Sequence, residues 1–183
     1  MEPKEKLDYI IHNIHCHVFT LDYLPKRFIG WYLPTTLLRN KWITKRLFNI
    51  VKRFAPSLAG FVYSAIKTDQ KEIFNALRGY YPKTARFCPL TIDFDFMKAG
   101  DAKKDYLKQL EDVADLKKQY EEENLDVFLP FVCADPRREG VFELVKKYIE
   151  VHHFSGIKLY PALGFFPDDP RLDPVYAYAE LHQ

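Results

Sequence analysis

Glycine and cysteine are scarce, and each scarcity removes a class of protein. Seven glycines and twelve prolines in 183 residues exclude collagenous and low-complexity chains, and 48% hydrophobic residues exclude an intrinsically disordered one. The three cysteines, Cys16, Cys88 and Cys133, are widely spaced and odd in number. They form neither a disulfide framework nor a CxxC zinc clip. No apolar run approaches the ~18 residues of a membrane-spanning helix. The first residues, Met1-Glu-Pro-Lys-Glu-Lys6, lack the apolar stretch and small-residue cleavage site of a secretory leader. Neither GxGxxG nor GxxxxGK(S/T) occurs, so nucleotide binding has no fingerprint, and there is no G-x-S-x-G nucleophile elbow. A cytoplasmic, enzyme-like globule is the expectation.

Aromatic and charged residues are plentiful. Aromatics make up 16%, and 27 Lys+Arg stand against 25 Asp+Glu for a net +2. That near-balance hides an asymmetry. From Tyr23 to Lys67 there are nine basic residues (Lys26, Arg27, Arg39, Lys41, Lys45, Arg46, Lys52, Arg53 and Lys67) and no acidic one. Taking those nine from +2 leaves −7 on the rest of the chain. With Phe28, Trp31, Tyr32, Trp42, Phe48 and Phe54 interleaved, the stretch predicts amphipathic helices with basic faces and buried aromatics.

Tyr9 to Phe19, rich in β-branched and aromatic residues, predicts a first strand. The basic stretch follows as helices broken at Pro34 and Pro56, with a short helix over Lys71–Arg78. Ala85–Asp93 predicts a second strand. Asp101–Asn124 predicts a long helix, with Tyr106, Leu110, Val113 and Tyr120 at helical spacing. Val127–Cys133 reads as a third strand, and Gly140–Val151 as a helix with Phe142, Val145 and Ile149 on one face. Gly156–Tyr160 is a fourth strand and Pro174–Gln183 a last helix. Strands without polar alternation, separated by helices, imply a parallel sheet under helices. Pro89 and Pro130, inside two of these strands, require bulges or early strand ends. Four strand–helix units make half of a (β/α)8 barrel, which needs about 250 residues when whole. The expected fold is α/β: strands 1–4, the first half of a TIM barrel, as one truncated domain over 1–183 with a helical insertion over 20–68.

His15-Cys16-His17, near the end of the first strand, is the sharpest chemical feature. Residues two apart on a strand share a face, so both imidazoles point one way while Ile14, Cys16 and Val18 point to the helix-packed side. Two neutral imidazoles suit a borderline metal such as zinc; two partly exposed strand histidines are the plain alternative. Lys158 shares a strand face with Gly156 and Tyr160. It either points into the barrel, where its ammonium must be paired, neutralised or modified, or reaches water at the strand end. Asp93 and Asp95 follow the second strand, at the C-terminal ends where barrel active sites lie, or they shape a loop turn. Asp135, before Pro136, is placed to cap a helix. Arg137 and Arg138 are placed for a substrate carboxylate or for a neighbouring helix.

Three segments carry a resemblance: Ile14-His-Cys-His17 on the first strand, Val132-Cys-Ala-Asp-Pro-Arg-Arg138 after the third, and Gly156-Ile-Lys-Leu-Tyr-Pro161 on the fourth. In this order and spacing they resemble the amidohydrolase superfamily, most closely its amidohydrolase-related (amidohydrolase-2) branch. The likeness runs over about residues 9 to 183, apart from the basic insertion. It implies a metal-dependent barrel enzyme that activates water to hydrolyse an amide, a lactone or a related bond of a small molecule; some relatives decarboxylate instead. It implies a divalent metal, zinc by preference, held by His15 and His17, with Lys158 as a bridging ligand where the site is binuclear. Asp93, Asp95 and Arg137 would then face the substrate. Such enzymes take further histidines from strands five and six and an aspartate from strand eight. A chain with four strands is therefore expected to be inactive by itself and prone to self-association.

A different class of function stays open. The basic insertion either caps the barrel mouth or acts as an association or membrane-surface element. Nucleic acid is not expected as a partner, since no recognised binding motif accompanies the charge.

Overall fold

Residues 10–28, 40–54, 67 and 69–182 are described by the computed structural model. The expected breaks at Pro34 and Pro56, the aromatics Trp31 and Tyr32, and the residues before Ile10 lie outside them. The apolar runs become four short strands: β1 (His12–Cys16), β2 (Arg86–Pro89), β3 (Phe131–Cys133) and β4 (Gly156–Lys158). Five α-helices accompany them among the described residues: α1 (Lys41–Phe54), α2 (Gln70–Arg78), α3 (Tyr106–Glu122), α4 (Val141–Glu150) and α5 (Asp173–Leu181).

Among the described residues all strand pairings are parallel. β1 pairs with β2 and β3 with β4, and the isolated bridges Phe87–Phe128 and Leu90–Phe131 join the two pairs. The spatial order is β1-β2-β3-β4, following the chain, in a sheet that is not closed. Parallel neighbours need crossovers, and α3 and α4 supply two of them. The strands are shorter than their apolar runs because proline cannot donate to a ladder. Pro89 is the last residue of β2, and Pro130 lies just before β3.

α3 is capped by Asp105, whose carboxylate accepts from Lys108 N at 2.8 Å, and Tyr106, Leu110, Val113 and Tyr120 are all buried. On α4 the fully buried set is Val141, Val145 and Tyr148, while Phe142 and Ile149 pack half-buried against the core. The expected face is thus rotated towards Tyr148. The deepest packing is aromatic. The Phe74 ring lies 4.7 Å from Phe128, 5.3 Å from Phe87 and 5.2 Å from Tyr120. Each such pair adds about 0.5–1.5 kcal/mol to the burial of its rings, which clamps α2 and α3 onto β2 and the start of β3.

Two expectations are corrected. Ile14 is 73% exposed rather than packed under a helix, on a strand whose register slips between Asn13 and Cys16. Trp42 on α1 is 63% exposed rather than buried. Among the described residues no helix is long and apolar enough to cross a membrane.

Candidate functional site

Parallel strands end together. The C-terminal ends of β1 to β4 therefore bring His17, Asp93, Asp135 and Lys158 to one rim, although they are far apart in sequence.

At β1 the local backbone sets the histidines. Where the register slips, Asn13 Oδ1 accepts from the His15 N–H at 3.1 Å, a side-chain bond standing in for the sheet ladder. The His15 and His17 rings meet edge to face, with centroids 5.1 Å apart, while Cys16 and Val18 are buried. His15 is exposed and His17 half-buried. His17 Nδ1 lies 2.8 Å from the Leu90 carbonyl oxygen. A carbonyl only accepts, so Nδ1 carries the proton and Nε2 keeps the lone pair, and the bond to Leu90 fixes the orientation of the ring. Burial, with Lys158 and His15 as like charges, lowers the His17 pKa to about 4. His17 is neutral at pH 7, as a ligand must be.

Lys158 ends β4. Burial lowers its pKa, and its ammonium lies 4.7 Å from the centre of the Tyr160 ring. It is half-buried within electrostatic reach of His17. Among the described residues its nearest charged or aromatic neighbours are the Tyr160 ring and His17.

The acidic residues are drawn into a different network. Asp93 is fully buried and takes two bonds from Arg138, at 2.6 and 2.8 Å. The same guanidinium reaches Asp95 at 2.7 Å, and Asp95 also accepts from Tyr106 N at the start of α3. Burial raises the Asp93 pKa despite Arg138. Asp135 is buried too and is gripped by Arg137, Nε to Oδ1 at 2.8 Å and Nη2 to Oδ2 at 2.6 Å. The Arg137 guanidinium lies 4.8 Å from the Phe96 ring centre and 5.7 Å from that of Phe165.

Asp135 does not cap α4, contrary to expectation. Its Oδ1 accepts from Arg137 N at 3.0 Å, a local Asx turn, and α4 begins after Gly140, whose φ of +67° suits glycine. The structure brings His15 and His17 together and sets Lys158 near His17, while Asp93 and Asp95 are tied to Arg138 and Arg137 is engaged by Asp135. The sequence offered Arg138 a substrate carboxylate or a neighbouring helix and not its pairing with Asp93 and Asp95, and the Leu90 carbonyl carried no signal, because a backbone acceptor is identity-independent. Among the described residues no group of three or more His, Cys, Asp or Glu is placed to hold a metal ion. Compared with family models, with curated proteins and with solved structures, the chain matches none.

Proposed function

We propose that this chain is the strand 1–4 part of a metal-dependent (β/α)8 hydrolase of the amidohydrolase-related kind, acting in the cytoplasm on a small-molecule amide, lactone or related bond. The observation that carries it is the contact of the His15 and His17 rings, with the His17 Nδ1–H donating to Leu90 O and the Nε2 lone pair left to bind a metal. The resemblance of the HxH, DPRR and GIKLYP segments supports the same reading, and so does the sequential parallel order of the strands.

The donor set fits a borderline ion with two nitrogens: His15 and His17 would hold it. Bound zinc supplies a water of lowered pKa and polarises a substrate oxygen. Everything else falls to the chain itself. The Leu90 carbonyl fixes the His17 tautomer, and burial keeps that ring neutral. Arg138 holds Asp93 and Asp95 as one rigid unit on the rim, and Lys158 adds positive charge beside the histidines. Catalytic zinc takes three protein ligands, so a two-histidine set implies weak binding and background turnover for these 183 residues alone.

Zinc titration by calorimetry tests the reading. His15→Ala and His17→Ala should each abolish binding, and His12→Ala should leave it intact. Binding that survives both rim substitutions would refute it. Hydrolase and decarboxylase separate by product, since only the second releases carbon dioxide.

A further inference from the structure

α1 is not used by the proposed chemistry, and its surface has a pattern. Asn40 starts it, its Oδ1 accepting from Trp42 N at 3.1 Å. Trp42, Lys45, Arg46, Asn49, Lys52 and Arg53 are all exposed. Their spacing of three, four, seven, ten and eleven residues from Trp42 is one helical face. Off that face, Thr44 is fully buried and Ile43 half-buried. The outward face therefore holds four cations and an exposed indole, in a stretch from Tyr23 to Lys67 with no acidic residue. The Arg46 guanidinium lies 4.4 Å from the centre of the Trp42 ring, so the indole sits within the charged face.

We propose that the outer face of α1 docks on an anionic lipid bilayer. Three features fit that occupant. A helix of 14 residues presents a row about 21 Å long, parallel to a surface rather than across it. Lysine and arginine side chains are attracted to anionic headgroups, and tryptophan settles at the headgroup level. Duplex nucleic acid would use the cations through its phosphates but, with its bases already stacked, gives the indole no partner.

Co-flotation of the full chain with vesicles of phosphatidylcholine alone, and of phosphatidylcholine with phosphatidylserine, tests this. The chain should bind only the phosphatidylserine vesicles and be released by added salt, and its tryptophan emission should shift to the blue on binding. Each cation at an anionic surface is worth about fivefold in partitioning. The triple variant Lys45→Gln, Arg46→Gln, Lys52→Gln should therefore bind on the order of 100-fold more weakly, with unchanged circular dichroism. Trp42→Ala should reduce the blue shift. Equal binding to both vesicle types, wild-type binding by the triple variant, or retardation of duplex DNA or RNA without vesicle binding would each overturn the proposal. The comparison of vesicle types and the salt dependence need no variant.

Discussion

Replacing Arg138 by Met keeps the aliphatic stem but leaves Asp93 buried without its cation. Asp93 is fully buried and the Arg138 side chain 16% exposed, with contacts of 2.6 and 2.8 Å between them. Breaking such a pair by removing one partner costs about 3–5 kcal/mol. In a chain of this size each kcal/mol moves the melting midpoint by about 2–4 °C, so Arg138→Met should melt roughly 6–20 °C lower. The deficit should depend on pH with a definite sign. Burial already raises the Asp93 pKa above the usual carboxylate value, and losing Arg138 raises it further. A raised carboxyl favours the fold below its unfolded pKa and loses that benefit as pH rises through the folded value. The deficit of Arg138→Met should therefore shrink in acid and reach its maximum above the folded pKa. The double variant Asp93→Asn with Arg138→Met should be less damaged than the singles sum to, by about 1–3 kcal/mol. Urea unfolding of the four proteins across pH measures all of this. A loss below about 1 kcal/mol, or strict additivity, would show that the pair does not act as a buried unit.

Two further perturbations probe the rim and the sheet. Because the folded state holds His17 near a pKa of about 4 against an ordinary 6.5, its contribution is present above pH 6.5 and lost as pH falls through that window. The loss amounts to at most about 3 kcal/mol. His17→Gln should flatten the urea-midpoint profile there, and parallel profiles would contradict the burial of the ring. At Gly156 an added Cβ would lie 2.6–2.7 Å from the ring tip of Phe131, its partner across the β3–β4 ladder. Gly156→Ala should cost about 1–3 kcal/mol; Phe131→Leu beside it should recover part of that, and a neutral Gly156→Ala would show that the ring moves freely.

What was legible in the sequence was whatever rests on local periodicity. The α3 positions Tyr106, Leu110, Val113 and Tyr120 repeat at helical spacing and are buried. The strand order followed from apolar runs alternating with helices. Strand lengths were harder to read, since Pro89 and Pro130 cut ladders that side-chain character alone extends. Ile14 was misplaced because strict alternation along the strand assumes a regular ladder, and the register of β1 slips between Asn13 and Cys16. The pairing of Arg138 with Asp93 and of Arg137 with Asp135 was out of reach for a physical reason. Two adjacent arginines are equivalent until the fold places one beside a carboxylate 45 positions away and the other beside one two positions away. Asp135 before Pro136 looked like a helix cap, yet the chain makes a turn there and starts α4 only after Gly140.

Histidine side-chain NMR under zinc titration addresses the two-imidazole centre most directly. In the free chain, His17 should appear as the neutral tautomer protonated at Nδ1. On adding zinc, the Nε2 resonance of His17 and one ring nitrogen of His15 should shift together along a single weak 1:1 binding curve, while His12 stays put. Zinc that leaves both rings unshifted, or that shifts His17 at Nδ1 by displacing Leu90, would contradict a metal centre built on His15 and His17.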